Sequence, residues 1–426
     1  MYLPASYGTD LYKRYPVLYM HDGQGIFNPN PYSQQSWNIH ATADRLTAEG
    51  KIDEIIVVGI CNTADRSNEF THGTGPVGTA YIDGAPDIVC KGENYEDFLI
   101  NDLKPYIDSN YPTLKDRENT ALMGSSMGGL VTYTIGLRHP EIFGKLGILS
   151  PYFIRLDLNT LQEVEFCNLY KKSRPSRIWL DVGDVEANIL VKHVRDMADY
   201  LVSTGYMPSE ELAYYCVPDA AHTEADWAKR IHSPLLYFFG SVGKAEAVQL
   251  YGRSVVGLKG MNVYMNPVVK YDSGFVMSDI NGEYIADRPD ILEVKPDGLI
   301  LPKKEGTTNV TFASHGLKAS KAYTVIKELS EFVTVSVNIT VPDGTPADAK
   351  LHIGRLQIPR AADNRFGGSF SLPRDIAMQF RIYYKDDSGK AFFERGKNNG
   401  DMAYRRFKAE DDIRLDLTVA NWCDQS

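Results

Sequence analysis

The chain has 426 residues, a formal charge of −10, and 43% hydrophobic against 23% charged residues. At about 100–200 residues per domain this is material for two to four domains with cores of their own, and the ordinary composition excludes a disordered or fibrous chain. A pI near 5.5 offers no basic field to gather phosphates, so nucleic acid is not an expected partner; no apolar run approaches the ~20 residues of a membrane span, so no membrane insertion is expected either.

A small neutral or sugar-like substrate fits this balance better. Cys61, Cys90, Cys167, Cys216 and Cys423 are scattered, odd in number and without a CxxC pair, which points to buried or free thiols rather than a zinc site or disulfide framework. No charged-then-apolar leader is visible at the start. Met1 runs straight into Tyr2-Leu3-Pro4, which reads as the tail of a strand and leads to the expectation of a segment upstream.

In chain order, the first apolar run at 16–20 reads as a strand, and it ends in His21-Asp22-Gly23-Gln24, a glycine-permitted turn. His21-Asp22 has no further ligand at a recognised spacing, so no metal is expected there. A second strand is expected at 55–60. A helix follows at 95–109, with Phe98, Leu99, Leu103, Tyr106 and Ile107 at helical spacing.

The strand at 119–123 runs into Gly124-Ser125-Ser126-Met127-Gly128 and then a helix-period stretch at 130–137. A G-x-S-x-G between strand and helix has a mechanical meaning. The serine is held on a sharp, exposed turn, the flanking glycines allow close backbone approach, and the helix N-terminus favours developing negative charge. Ser126 is the candidate nucleophile.

Strands at 145–149 and 177–181 come next. The latter continues Asp181-Val-Gly183-Asp184-Val-Glu186, where three carboxylates compete to orient a base. Glu186 has the reach to turn back toward a histidine, and Asp184 is its nearest rival, with a helix N-cap as its alternative role. After a helix at 189–202 and a strand at 212–217, His222 stands on the loop before a helix starting near 224. A serine hydroxyl needs an adjacent base, and the order Ser, acid, His makes His222 the candidate. The oxyanion needs two backbone N–H donors, for which the Met127 and Gln24 amides are the candidates. Gly240-Ser-Val-Gly243-Lys244 lacks the first glycine and the Ser/Thr of a phosphate-binding loop.

Strand and helix thus alternate up to residue 240, the pattern of a mainly parallel sheet with helices on both faces. Beyond it helical periodicity nearly vanishes, and alternating runs at 309–313 and 333–341 are broken by Pro296-Asp297-Gly298 and Asp343-Gly344. Two β-sandwich modules are expected, giving domains at 1–243, 244–330 and 331–426.

The runs Arg14-Tyr-Pro-Val-Leu-Tyr-Met-His-Asp-Gly-Gln24, Val57-Val-Gly-Ile-Cys-Asn62 with Arg66 and Glu69-Phe70, the Ser126 elbow, and Ala221-His-Thr-Glu-Ala-Asp-Trp-Ala-Lys-Arg230 together resemble the putative esterase family of α/β hydrolases. That family includes enterochelin esterase-like enzymes, esterase D, and the feruloyl and acetylxylan esterases of carbohydrate esterase family 1. The resemblance covers about residues 1–240. It implies a Ser126–His222–Glu186 triad, a Gln24/Met127 oxyanion hole and no cofactor, and it puts Arg66 and Trp227 near substrate, although an Arg66–Glu69 pair and a packed Trp227 are equally natural.

The region 244–330 resembles bacterial immunoglobulin-like domains and 331–426 resembles starch-binding sandwiches, without the tryptophan expected after Gly354. These resemblances imply a serine esterase acting on feruloyl- or acetyl-type esters of carbohydrates. A siderophore-type or other small-ester esterase, or a carbohydrate-binding or assembly protein with an inactive hydrolase domain, are the alternatives. Specificity is expected in the loop 63–89, and the modular build favours a periplasmic or secreted setting. Oligomeric state is left open.

Overall fold

The computed structural model describes residues 1–426 except 31–33, 74–87, 157–162, 166, 174–176, 187, 355, 387–388, 401, 403 and 424–426. Six parallel strands form its central sheet: β1 (Val17–His21), β2 (Ile56–Ile60), β3 (Thr120–Ser125), β4 (Lys145–Leu149), β5 (Arg177–Gly183) and β6 (Leu212–Val217). They lie in the order β2-β1-β3-β4-β5-β6. Every pairing is parallel, so the C-terminal ends of all six strands, and the loops that leave them, share one edge.

Side chains alternate across the sheet as a strand's period of two requires. Val17 and Tyr19 enter one core with Leu122, Leu130, Tyr133, Val194 and Leu201. Leu18 and Met20 enter the opposite core with Ala121, Met123, Ile39, Leu46 and Leu235. Helices therefore cover both faces, and the α/β-hydrolase class expected from the sequence is the observed one.

One helix departs from its expected face. The segment expected at 95–109 spans Gly92–Asp97, a π-helical Phe98–Leu103 and Lys104–Asn110. Tyr95, Leu99 and Ile107 are buried, whereas Phe98 and Tyr106 are 41% and 60% exposed. The wider π turn puts the inward stripe at steps of four, 95, 99, 103 and 107, which leaves Phe98 and Tyr106 outside it.

Beyond Gly240, β7 (Ala245–Tyr251), β8 (Asn266–Tyr271) and β9 (Val276–Ser278) form a three-stranded antiparallel sheet. Val269, Tyr271, Phe275 and Met277 join the core of Trp179 and Leu235. Ser278 Oγ accepts the Cys216 N–H at 3.0 Å and the Asn266 amide donates to the Cys216 carbonyl at 2.7 Å, which ties this sheet to the edge strand β6 and covers it. A four-stranded sheet of Val255–Gly257, Leu317–Ile326, Gly306–Ser314 and Glu283–Ala286 follows.

The chain divides into two compact units. The first is Met1–Asp184, Ile189–Val256 and Asn262–Val325; the second is Ile326–Ser426 with the short segments Val185–Asn188 and Gly257–Met261. The second unit is built on a four-stranded sheet and a five-stranded sheet. Its core gathers Val333, Val335, Val337 and Ile339 from one sheet, with Leu351, Ile353 and Ile382 from the other. That is the sandwich arrangement of alternating inward residues.

Candidate active site

Ser126 is the N-cap of the helix Met127–Arg138, with φ 59° and ψ −124°. A non-glycine residue in this region carries backbone strain of order 1–3 kcal/mol, and the surrounding packing holds it. Its N–H donates to the Leu149 carbonyl at 2.9 Å and its carbonyl accepts from Leu130 at 3.0 Å, so the turn is pinned to β4 in front and to its own helix behind. Ser125 is buried, while Ser126 is partly exposed.

The glycines are dictated by contact. A Cβ on Gly124 would stand 2.6 Å from the Gly128 carbonyl oxygen, and one on Gly129 would stand 2.8 Å from that of Leu149. Met127 opens the helix, so its N–H has no acceptor within it.

His222 lies on the loop leaving β6, at the edge that carries Ser126. Its ring meets Trp227 edge-on at 5.0 Å and Tyr152 at 5.2 Å. Its Nε2 stands 3.4 Å from the Tyr152 hydroxyl, too long for a strong bond. Trp227 is 6% exposed. It stacks on Trp37 at 5.4 Å and donates its indole N–H to Ser150 Oγ at 2.9 Å, so it backs the imidazole.

The three competing carboxylates have different surroundings. Asp181, fully buried, accepts from Arg230 at 2.8 Å and from the Trp179 indole at 2.6 Å. That buried ion pair, which Arg230 extends to Ser150 Oγ at 2.9 Å, braces the ends of β4 and β5. Asp184 Oδ1 accepts the Asp219 N–H at 2.7 Å, bracing the loop that carries His222; Asp219 itself has φ 56°. Glu186 is buried two residues further on.

On the other side of Ser126, Asp22 and Gln24 leave β1. Gln24 sits in a 3-10 turn, Gly23–Gly25, whose early N–H groups are unsatisfied within it. Arg66 makes a forked ion pair with Asp22, Nε to Oδ1 at 2.5 Å and Nη2 to Oδ2 at 2.7 Å, and lies 5.0 Å over the Phe70 ring. The Glu69 carboxylate instead accepts from Thr63 Oγ1 at 3.0 Å.

His21 is buried behind this loop, its Nδ1 2.8 Å from the Tyr95 hydroxyl and its Nε2 without a hydrogen-bond partner among the described residues. Burial, opposed by Asp22 and assisted by Arg66, pushes its pKa down to about 4, so the ring is neutral at pH 7. No cluster of potential metal ligands occurs among the described residues.

Tyr152 and Ser150 were not singled out from the sequence, and Asp22, Asn62, Asp181 and Arg230 were named there without the partners the structure gives them. Their signal was positional: each lies at or just past the C-terminal end of a sheet strand or, for Arg230, at the end of the helix Glu224–Arg230. Much of the loop 63–89, expected to set specificity, lies outside the described residues.

Residues 1–238 match the family described as "Putative esterase". The chain is similar to an endo-1,4-beta-xylanase/feruloyl esterase of Xylanibacter ruminicola, 38% identical over 157 residues, which are 35% of this chain and 19% of that protein. It is also similar to the uncharacterized protein YbbA of Bacillus subtilis, 23% identical over 56% of this chain and 91% of that one. Among solved structures, a ferulic acid esterase from Anaeromyces mucronatus in complex with ferulic acid shares 22% identity over 56% of this chain and 83% of its own, with a TM-score of 0.42. The chain thus spans about a fifth of the length of the first of these relatives. With the family matched over more than half of its length, the chain belongs to the putative esterase family.

Proposed function

We propose that the protein hydrolyses acyl esters of carbohydrates, of feruloyl or acetyl type, through an acyl-enzyme on Ser126. The observation that carries this reading is the strained Ser126 at the N-terminus of the helix Met127–Arg138, the geometry of an activated serine elbow. The carbohydrate-ester class is supported by the 38% identity to the Xylanibacter ruminicola enzyme.

His222 takes the Ser126 proton as Oγ attacks the ester carbonyl, and the Gln24 and Met127 amides receive the oxyanion. The imidazolium then protonates the departing sugar oxygen, and water repeats the sequence in reverse to release the acid. Glu186 is assigned as the carboxylate that orients His222, a reading supported by the other commitments of Asp181 to Arg230 and Trp179 and of Asp184 to the Asp219 amide. Trp227 is assigned the positioning of His222. The strand-rich regions 244–330 and 331–426 are read as an immunoglobulin-like and a starch-binding-like module.

A fluorophosphonate probe followed by peptide mapping is expected to label Ser126 alone. Turnover of feruloyl, acetyl and short aryl esters is expected to vanish in Ser126→Ala. Labelling at Ser125, or turnover surviving that substitution, would overturn the assignment.

A further inference from the structure

We infer that Asp22, Arg66 and Asn62 form a clamp that positions the Gln24 oxyanion donor, and that Arg66 acts through Asp22 rather than by touching substrate. The inference rests on the reading of the Gln24 amide as a donor to the oxyanion.

Asp22 is held at φ 58°, ψ 47°, a left-handed backbone that aspartate tolerates because its short polar side chain can be bonded locally. Here the bonds come from the neighbouring strand's loop. Asn62 donates its side-chain amide to Asp22 Oδ1, and Arg66 grips both carboxylate oxygens.

Asn62 also closes on Gln24. The Gln24 side-chain Nε2 donates to the Asn62 carbonyl at 2.7 Å and to its Oδ1 at 3.1 Å, and Gln24 Oε1 accepts the Asn62 N–H at 3.2 Å. The Gln24 side chain is thereby spent on the loop, which leaves the backbone N–H as the group it can offer to a reacting oxygen.

The clamp also settles a charge. A methyl group at Gly128 would meet Asp22 Oδ2 at 3.1 Å, which places this carboxylate against the first turn of the helix whose N-terminus serves the oxyanion. An unpaired negative charge there opposes the charge that develops in the transition state, and the Arg66 guanidinium cancels it. A forked guanidinium–carboxylate pair fixes geometry as well as charge. Arg66 spends its Nε–Nη2 edge on Asp22 and lays its face on Phe70, so the side-on fork that would grip a substrate carboxylate is already occupied.

The experiment is a three-variant kinetic cycle on the full chain with an aryl acyl ester. Arg66→Met is expected to lower kcat by about 10²-fold, as a misplaced oxyanion donor does, with KM changed less than about 3-fold. The rate of fluorophosphonate labelling of Ser126 should fall in parallel, because phosphonylation uses the same oxyanion donors. Asp22→Asn, which removes the charge and keeps an acceptor, is expected to cost about 10-fold or less. In Asp22→Asn/Arg66→Met the stranded carboxylate is gone, and kcat should recover several-fold over Arg66→Met alone, with the circular dichroism and urea midpoint of Arg66→Met matching the wild type to show that the single variant is folded.

A rise in KM of tenfold or more with kcat retained in Arg66→Met would assign Arg66 to substrate binding and overturn the clamp. So would a double variant whose losses simply multiply. The two failures separate: a wild-type Ser126 that takes no label sinks the reaction itself, whereas a labelled Ser126 with either kinetic pattern sinks the clamp alone.

Discussion

Acidification should unfold the α/β unit partly through one residue, His21. Its pKa falls from the ordinary 6.5 to about 4, because the ring is buried beside Phe70 and Tyr95 and protonation would leave a charged Nε2–H with no acceptor. The sign is fixed by linkage. The folded state binds this proton less readily than the unfolded chain, so stability is full above pH 6.5 and is lost as pH falls through 6.5 toward 4. A shift of about 2.5 units at 1.36 kcal/mol per unit gives a total of roughly 3 kcal/mol, of which roughly 2.5 kcal/mol is gone by about pH 4.5.

The perturbation is His21→Gln, which keeps a hydrogen-bonding group within reach of the Tyr95 hydroxyl and cannot titrate. Urea unfolding of both proteins between about pH 7.5 and 4.5 is followed by tryptophan fluorescence, since Trp37, Trp179 and Trp227 all lie in this unit. Other acid-sensitive groups subtract out. They include Glu96, whose carboxyl pKa is held below its usual range by His72, His139 and Arg138 against the opposing effect of burial. The stability difference between wild type and variant should shift by roughly 2.5 kcal/mol in the variant's favour across that range. Curves that stay parallel would show that the His21 pKa is not depressed and would refute the burial argument.

Gly124→Ala should reduce kcat by at least about 10²-fold, because the new methyl, 2.6 Å from the Gly128 carbonyl, must push the elbow out of place; steady-state kinetics with retained circular dichroism checks it. Glu186→Gln should lower kcat by roughly 10²–10⁴-fold, as expected when the base loses its charged partner, while Asp184→Asn, which keeps an acceptor for the Asp219 amide, should cost far less; the opposite ranking would transfer the role to Asp184. Titration calorimetry of the full chain with maltoheptaose should show no binding tighter than about millimolar, since the rings of the second unit face one another, His352 on Tyr383 at 5.0 Å and Tyr384 on Phe392 at 4.7 Å, and Trp422 is tied to Thr345 and set edge-on to Tyr384. Flat aromatic faces are what sugar rings need, and sub-millimolar binding abolished by Tyr383→Ala would overturn this reading.

The strand-and-helix alternation up to residue 240, the elbow at Ser126 and the placement of His222 after the last strand were legible in the sequence, because each rests on local periodicity, on chain order or on a glycine such as Gly124 whose contact with Gly128 lies four residues away. The inward face of the segment 92–110 was not, since a π turn is a matter of which side chains fit the sheet and leaves no mark on spacing. Partner choice was beyond the sequence for the same reason. Arg66 has Glu69 three residues away yet pairs with Asp22, 44 positions earlier, and Asp181 and Asp184 took up Arg230 and the Asp219 amide from distant elements. Chain order fixes which chemical groups exist and which strand each follows. Only the parallel sheet, by bringing six strand ends to one edge, decided which of those groups meet and which charge each one neutralises.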